Sequence, residues 1–232
     1  MITRATIVGA GGLGGPISYA LARAHIELTI VDPDVVELSN LHRQIQFRTA
    51  DLGTAKATRL ASSVVARGGT ARGLVTRWTT AQADEISGDV DLIVDATDDP
   101  ETKFAVADWA VANGRLYVIA AALRYGGNVM AGAPGAACYR CLFEEPAEVP
   151  SCAEAGVLGP VVGAIGGVAA AIALGLVQGT RTYAGALLAF DDLRTVDEPR
   201  VVRFAPRPGC PACMRAPISP LAAPPVRVAE GH

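Results

Sequence analysis

Short apolar runs alternate with longer apolar or amphipathic segments along the first half of the chain. Apolar runs of about five residues are typical of strands in a parallel sheet, and the segments between them have helical length. The predicted strands are Ala5–Val8, Glu27–Val31, Ala71–Arg77, Val90–Val94 and Leu116–Ala121, and the predicted helices are Pro16–Ala24, Thr54–Gly68, Thr80–Ile86 and Glu101–Asn113. This alternation predicts an α/β fold with a doubly wound, mostly parallel sheet.

The pattern changes after residue 121, where helices no longer separate the apolar runs. Further strands are predicted at Gly127–Ala131, Tyr183–Phe190 and Arg200–Phe204, and we expect them to form an antiparallel C-terminal extension of the sheet. The segment Val157–Val177 is nearly free of charge. Glycines and a proline recur in it and basic flanking clusters are missing, so we expect a buried helix rather than a membrane span.

Length and composition fit one domain. The chain has 232 residues, half of them hydrophobic, which is enough to bury a sizeable core. A net charge of −3 argues against nucleic acid as the principal partner. Met1 leads directly into the first strand without the features of a signal peptide, so we expect a cytoplasmic protein. Proline and alanine dominate after Cys213, which predicts a domain at residues 1–213 and a disordered tail at 214–232.

A glycine-rich turn follows the first strand. The run A-T-I-V-G-A-G-G-L-G-G places Gly9, Gly11, Gly12 and Gly14 between a strand and a helix. Glycines permit a tight turn and let backbone N–H groups approach a polyphosphate at the helix N-terminus. Asp32 ends the second strand, twenty residues beyond Gly12, where an acidic side chain binds ribose hydroxyls in Rossmann-like folds. Close helix packing would also explain the glycines, but together with Asp32 they predict a nucleotide site.

Polar side chains follow the second strand. Asn40 and Arg43 are three residues apart, so on a helical turn they share a face, and an arginine there suits phosphate oxygens. A solvated loop is the alternative. Lys56 lies in the first turn of a predicted helix, where a cation opposes the helix dipole, and this suggests another role. An exposed lysine without a role is the alternative there.

The sequence D-A-T-D-D-P at 95–100 follows the strand Val90–Val94. Open α/β sheets bind ligands at the carboxyl ends of their strands, and Mg²⁺ takes one or two carboxylates together with substrate phosphates. Asp98 or Asp99 could therefore hold Mg²⁺. Either could instead cap the helix Glu101–Asn113, and one aspartate could cap while the other binds the metal.

Four of the five cysteines form two C-x-x-C pairs. Cys138 pairs with Cys141 and Cys210 with Cys213, with 68 residues between the pairs. Each pair can offer two thiolates to one tetrahedral Zn²⁺, which predicts a Cys₄ zinc knuckle. A redox motif is the rival interpretation, but such a motif usually opens a helix after a strand. Cys152 is left over in a polar setting, either as a nucleophile or without a role.

These motifs together resemble a known family. The sequence matches are G-A-G-G-L-G at 9–14, D-P-D-V-V-E-L-S-N-L-H-R-Q at 32–44, Lys56, D-A-T-D-D at 95–99, C-Y-R-C at 138–141, C-A-E-A-G-V at 152–157 and C-P-A-C at 210–213. Up to Cys213 the chain resembles the ThiF/MoeB/HesA family, the bacterial relatives of ubiquitin-activating enzymes.

The resemblance implies an ATP-dependent adenylyltransferase. Such enzymes adenylate the C-terminal glycine of a small ubiquitin-like sulfur-carrier protein ending in Gly-Gly, and pyrophosphate leaves. The adenylate then accepts sulfur to give a thiocarboxylate for a thiamine, molybdopterin or natural-product pathway. The implied cofactors are ATP, Mg²⁺ and Zn²⁺. The implied partners are the carrier, a second copy of the chain in a homodimer and a sulfur-donor protein, without nucleic acid or membrane.

The resemblance also implies roles for single residues. The implied nucleotide ligands are Gly9, Gly11, Gly12 and Gly14 in the turn, Asp32 at the ribose, and Asn40, Arg43 and Lys56 at the phosphates. Asp98 is the implied Mg²⁺ ligand, and the implied catalytic set is Arg43, Lys56, Asp98 and Cys152. The cysteine that matches Cys152 bonds covalently to the carrier in the thiamine branch and is dispensable in the molybdopterin branch.

The chain departs from the family pattern at two points. Family members usually begin with a helix carrying R-Y-x-R-Q, whose arginine reaches the ATP of the partner subunit. The sequence begins at the first strand, so we expect slow adenylation or a charge supplied by another chain. Asp99 stands where the family usually has asparagine, which adds negative charge near the phosphates.

The residues leave two other functions open. A non-catalytic nucleotide-binding partner of a heterodimeric activating complex would fit the absent arginine, although Asn40, Arg43, Lys56 and Asp98 disfavour it. An NAD-dependent oxidoreductase would explain the glycine turn and Asp32, but it would leave the cysteine pairs without a purpose.

Overall fold

A computed structural model describes residues 3–146, 156–195 and 198–213 of the chain. The described strands are β1 (Arg4–Val8), β2 (Glu27–Val31), β3 (Ala71–Leu74), β4 (Leu92–Asp95), β5 (Leu116–Leu123), β6 (Gly126–Gly132), β7 (Ala186–Phe190) and β8 (Arg200–Arg203). The described α-helices are α1 (Gly14–Arg23), α2 (Lys56–Val65), α3 (Ala83–Ser87), α4 (Pro100–Ala112), α5 (Tyr139–Leu142) and α6 (Gly159–Val177). Short 3₁₀ turns lie at Leu38–Asn40 and Thr49–Asp51.

The strands form one sheet in the order β3-β2-β1-β4-β5-β6-β7-β8. The pairs from β3 to β5 are parallel, whereas β6, β7 and β8 continue the sheet in antiparallel fashion. The order runs outward in both directions from β1 and β4, so the carboxyl ends of these strands flank a topological switch point. The predicted Rossmann-like, mostly parallel sheet with an antiparallel extension is confirmed.

Helices cover both faces of the sheet, because the parallel strands are apolar on both sides. Ile7 and Ile30 face the core cluster that includes α1, α2 and α6. Val8 and Val31, the next residue of each strand, face the cluster that includes α3 and α4. Successive side chains of a strand point to opposite faces, and this alternation divides the core into two layers.

The predicted elements form with small shifts at their ends. β3 ends at Leu74 rather than Arg77, because among the described strands it pairs only with β2 and its last partner is Val31. The one-turn helix α5 and the 3₁₀ turns were not predicted, since segments of three or four residues carry no readable periodicity.

The apolar segment predicted as a buried helix forms α6, which is buried on one side only. By length and composition it could cross a membrane, and 44% of its apolar 18-residue window is buried in the fold. Val161 and Ile165 pack in the core, whereas Ala164 and Ala171 are exposed. The partial burial is consistent with a core helix that packs against α1, β5 and β6.

The predicted tail at 214–232 and Cys152 lie outside the described residues.

Candidate functional site

A cavity of about 860 Å³ opens at the carboxyl ends of the central parallel strands. Several loops that follow different strands contribute to it, as expected at a switch point. The candidate residues that line it are Gly9, Gly11, Gly12, Asp32, Asn40, Arg43, Lys56 and Asp98. The fold therefore brings together residues that are up to 89 positions apart in the sequence.

The glycine turn forms one wall of the cavity. Gly9 has φ +96°, a conformation that favours glycine, and its N–H donates to the Val31 carbonyl at 2.8 Å. A Cβ at Gly12 would lie 2.6 Å from Cγ1 of Val162, so α6 packs directly on the turn. Within the described part of the chain, the N–H groups of Gly11 and Gly12 have no acceptor. They are free to bind a ligand.

Gly14 does not line the cavity, although the motif groups it with the nucleotide ligands. It is the first residue of α1, and a Cβ there would lie 1.9 Å from the Gly9 carbonyl oxygen. Its absence of a side chain lets α1 approach the end of β1. Gly14 therefore contributes close packing rather than a contact with the cavity.

Asp32 lies at the end of β2 and is almost completely buried. Its carboxylate accepts the N–H of Ala10 at 2.7 Å and that of Asp34 at 2.8 Å. Burial raises the pKa of Asp32, while the two backbone N–H groups and the charge of Lys56 oppose this rise. These contacts tie the carboxylate to the glycine turn, and each oxygen keeps further capacity to accept a hydroxyl proton.

Two cations and an amide line the same cavity. Lys56 is buried, not exposed, and its Nζ lies 3.0 Å from Oδ2 of Asp34. Arg43 donates from Nη1 to the Ser39 carbonyl at 3.3 Å, and Asn40 belongs to the 3₁₀ turn just before it. Asn40 and Arg43 were expected to share a face, and both line the cavity. Fixed cations at one ligand site favour phosphate oxygens.

The neighbouring aspartates divide two tasks between them. Asp99 is the N-cap of α4 and accepts the N–H groups of Glu101 at 3.3 Å and Thr102 at 3.2 Å. Asp98 is exposed and lines the cavity, and its side chain has no partner among the described residues. Asp98 is thus the carboxylate available for a cation, and Asp99 stabilises the helix.

A buried ion pair lies beneath the loop that carries Asp98. Nζ of Lys103 donates to Oδ1 of Asp95 at 2.7 Å, to the Thr97 carbonyl at 2.7 Å and to the Ala120 carbonyl at 2.8 Å. All three ammonium protons are therefore used within the protein. Lys103 connects the ends of β4 and β5 and holds the peptide group immediately before Asp98.

Aromatic side chains line another part of the cavity. Tyr139 and Phe143 lie one turn apart with ring centroids at 4.8 Å, and Phe104 meets Tyr139 edge to face at 4.9 Å. Burial, with a smaller effect of Asp95, raises the pKa of Tyr139 to about 12. The phenol is therefore neutral near pH 7, and the cavity combines a polar wall with an aromatic one.

The four paired cysteines meet at one point. The Sγ of Cys138 lies 3.7 Å from that of Cys141 and 3.5 Å from that of Cys210, and Cys141 lies 3.6 Å from Cys213. Tetrahedral Zn²⁺ with bonds of about 2.3 Å separates its sulfurs by about 3.8 Å, whereas a disulfide needs about 2.05 Å. The cluster is thus compatible with Zn²⁺, as the C-x-x-C spacing predicts.

The thiol environments in this cluster differ. Burial raises the pKa of Cys210, but N–H bonds from Cys213 and Ala212 and its contacts with neighbouring thiols bring the pKa to about 7. Burial raises the pKa of Cys138 strongly. A cation among the sulfurs would favour the thiolate form at every position.

Several cavity residues were missed by sequence reasoning. They are Arg77 and Trp78 after β3, Lys103 and Phe104 on α4, Asn128 on β6, and Tyr139 and Phe143 around α5. Lys103 left a weak signal as the lone cation of its helix, and Tyr139 lies inside a cysteine motif whose spacing indicates a metal site. The others carry no local signal, because only the folded sheet brings them to the cavity.

Comparisons with known proteins agree with this architecture. Residues 2–212 match the model of the ThiF family. The sulfur carrier protein adenylyltransferase of Thermus thermophilus is 39% identical over 221 residues, which cover 89% of this chain and 80% of that protein. The adenylyltransferase and sulfurtransferase MOCS3 of Dictyostelium discoideum is 36% identical over 217 residues, covering 89% of this chain and 51% of that protein. The chain therefore spans about half the length of this second relative.

Solved structures show the same fold at lower sequence identity. MccB of Escherichia coli, determined with ATP, superposes with a TM-score of 0.78 at 18% identity, covering 91% of this chain and 66% of that one. The MccB complex with MccA-N7isoASN gives a TM-score of 0.80, also at 18% identity, and covers 91% and 67% of the two chains.

Proposed function

The chain belongs to the ThiF family, and we propose that it is an ATP-dependent adenylyltransferase acting on the C-terminal glycine of a small ubiquitin-like sulfur-carrier protein. The curated relatives from Thermus and Dictyostelium are adenylyltransferases by name, and the first is specified as acting on a sulfur carrier protein. These names support an enzyme and do not favour a non-catalytic partner.

One observation carries the proposal. A single cavity holds the cations Arg43 and Lys56, two N–H groups and the carboxylate of Asp98, and neither the N–H groups nor this carboxylate has a partner within residues 3–146, 156–195 and 198–213. N–H groups and cations suit phosphate oxygens, and a free carboxylate beside them suits a divalent cation that the phosphates share. Asp32, tied to the same turn, is placed to accept ribose hydroxyls.

The reaction needs positioning and charge stabilisation rather than a protein nucleophile. An oxygen of the carrier's terminal carboxylate attacks the α-phosphorus of ATP, and the bond from that phosphorus to the bridging oxygen of pyrophosphate breaks. Negative charge gathers on the α-phosphoryl oxygens, and Arg43 and Lys56, which line the same cavity, stabilise it. Mg²⁺ held by Asp98 would supply further charge neutralisation. The aromatic wall and Asn128 line the part of the cavity that remains for the carrier's terminal residues.

Zn²⁺ is proposed at the four-cysteine cluster. Cys138 immediately precedes α5 and Cys141 lies within it, while Cys210 and Cys213 come from the end of the described chain. Tyr139, the first residue of α5, and Phe143, which follows the helix, line the cavity. A metal there would fasten the C-terminal segment to the main sheet and fix the aromatic wall. Its role in this proposal is structural, since all four coordination positions are filled by protein sulfur.

Further partners follow from family membership as proposals. We propose that the chain forms a homodimer. Light scattering at micromolar concentration tests this, and a measured mass equal to that of one chain would contradict it. A sulfur donor, a cytoplasmic location and a covalent role for Cys152 stay predictions. The last is tested by mass spectrometry of the Cys152→Ser variant mixed with activated carrier.

The decisive experiment is ATP–pyrophosphate exchange with Mg²⁺ and a panel of small carriers that end in Gly-Gly. We expect exchange that depends on one carrier and is lost in Asp98→Asn. Asp99→Asn is the matched control. It removes one negative charge next to Asp98, but asparagine can still cap α4, so exchange should be retained. ATP binding without exchange for any carrier would contradict the proposed reaction.

A further inference from the structure

A buried glutamine holds the glycine turn. Gln46 is 6% exposed, and its Nε2 donates to the carbonyl oxygens of Ala10 at 2.9 Å and Gly11 at 2.8 Å. A carbonyl oxygen can only accept, so the amide nitrogen must be the atom that faces the turn. Both protons of the amide are therefore used, one on each of two consecutive peptide groups. Gln46 itself is not among the residues that line the cavity.

These two bonds fix the direction of two other groups. In a planar trans peptide, the C=O of one residue and the N–H of the next point in opposite directions. The carbonyl of Ala10 shares its plane with the N–H of Gly11, and the carbonyl of Gly11 shares its plane with the N–H of Gly12. Because Gln46 binds both oxygens, the two N–H groups point away from it. These are the N–H groups that have no acceptor in the described part of the chain.

Gly15 provides the space that this arrangement needs. A Cβ at Gly15 would lie 2.5 Å from Oε1 of Gln46 and 2.6 Å from its Cδ. These atoms belong to the end of a flexible side chain, so a methyl group at Gly15 would displace Gln46 rather than the backbone. Gly15 is therefore coupled to the turn in two ways: its own N–H donates to the Gly11 carbonyl at 3.1 Å, and its lack of a side chain leaves room for the amide of Gln46. Only the second contact changes when Gly15 is replaced by alanine.

We propose that Gln46 is a positioning residue that aims the N–H groups of Gly11 and Gly12 at phosphate oxygens of the bound nucleotide. The inference rests on the proposed nucleotide-binding function and deepens it. Hydrogen bonds to a charged acceptor are among the stronger ones in proteins, and they weaken steeply when misaligned. Loss of Gln46 should therefore weaken ATP binding by about 10- to 100-fold. Adenosine, which has no phosphate, should bind as before.

The test compares two routes to the same defect. Gln46→Met keeps the length of the side chain and removes both donors. Gly15→Ala keeps Gln46 in the chain but displaces it, and alanine in the first turn of α1 preserves the helix. Tyr19→Phe is the matched control, because Tyr19 lies farther along α1 and the change removes only its hydrogen bond with Ser63 of α2. Calorimetric titration with ATP and with adenosine is carried out on each full-length variant.

The expected result is a loss of ATP affinity in both variants, with adenosine affinity unchanged and Tyr19→Phe like the original chain. Gly15→Ala should add nothing in the Gln46→Met background, since both act through one side chain. In ¹⁵N-glycine-labelled protein, ATP should shift the amide signals of Gly11 and Gly12 downfield, and this shift should shrink in both variants.

The outcomes separate the two proposals. An original chain that binds no ATP would overturn the proposed function itself. ATP binding that both variants retain, or equal losses for ATP and adenosine, would overturn the role of Gln46 and leave the proposed function standing. Additive effects of the two substitutions would overturn it as well.

Discussion

Replacing Lys103 by methionine tests the physical account of the cavity floor. Methionine has a similar length and fits an apolar site, so the change removes the charge and the donors rather than the bulk. Three acceptors each lose a donor: the carboxylate of Asp95 and the carbonyl groups of Thr97 and Ala120. The carboxylate keeps only the neutral donors of Thr97, its N–H and its hydroxyl, among the described residues. Asp95 has no exposed surface, so water cannot replace the ammonium.

The expected loss is large because one partner of a buried pair remains. Breaking such a pair by removing one charge costs about 3–5 kcal/mol. A domain of ordinary stability has a free energy of unfolding of about 5–15 kcal/mol, so the variant should fold but with little reserve. Replacing an exposed lysine by methionine would change the free energy of unfolding by less than about 0.5 kcal/mol.

The loss should also depend on pH, with a sign that the structure determines. Burial raises the pKa of Asp95, and the charge and hydrogen bond of Lys103 oppose the rise. A raised pKa means that stability falls as the pH rises from the ordinary value of about 3.9 through the folded-state pKa. Without Lys103 the folded-state pKa rises further, so the fall extends to higher pH. Lys103→Met should therefore lose more stability at pH 8 than at pH 5.

Urea unfolding followed by fluorescence of Trp78 and Trp109 measures this directly at both pH values. The control is Lys103→Met combined with Asp95→Asn, which removes the buried charge and should recover part of the loss at pH 8. Equal losses at pH 5 and pH 8, or a double variant no more stable than the single one, would show that the buried charge of Asp95 does not cause the loss. An unchanged m-value is required for the comparison to hold.

Three further tests, with four substitutions, have expected outcomes. Gly14→Ala should destabilise the fold by about 1–3 kcal/mol or more, because its Cβ would overlap the Gly9 carbonyl, and a normal urea midpoint would contradict this. Asp99→Ala should cost about 1 kcal/mol through loss of the helix cap, while Asp98→Ala should leave the urea midpoint unchanged; a reversed order would mean that the two roles are exchanged. Elemental analysis of unchelated protein should find about one zinc per chain and much less in Cys138→Ser, and zinc-free unaltered protein would remove the metal from the account.

Much of the site could be predicted from sequence because its signals are local. The turn Gly9–Gly12 and the position of Asp32 follow from the backbone demands of a strand, a tight turn and a helix within some thirty residues. The C-x-x-C pairs likewise carry their geometry in their spacing. Asp98 and Asp99 could not be separated in this way, because either carboxylate can cap a helix, and only the observed contacts of Asp99 decide between them.

Other assignments depended on contacts between distant segments. The sequence could not distinguish an exposed Lys56 from a functional one, because it does not reveal the exposure of the side chain. Lys56 is buried beside Asp34 because α2 packs against the loop after β2. Gly14 belongs to the same motif as Gly11 and Gly12. It is nevertheless needed for packing, because a side chain there would clash with the Gly9 carbonyl at the end of β1.

Periodicity and spacing act over short distances along the chain, so the amino-acid sequence predicts the order of strands and helices, the glycine turn, the acidic residue after β2 and the pairing of cysteines. Packing in three dimensions selects the buried side of α6 and the aspartate that remains available, and it brings Gln46 and Lys103 to carbonyl groups 35 and 17 residues away. Those contacts are set by how the sheet is ordered and how the helices pack on it, and no local pattern in the chain encodes them.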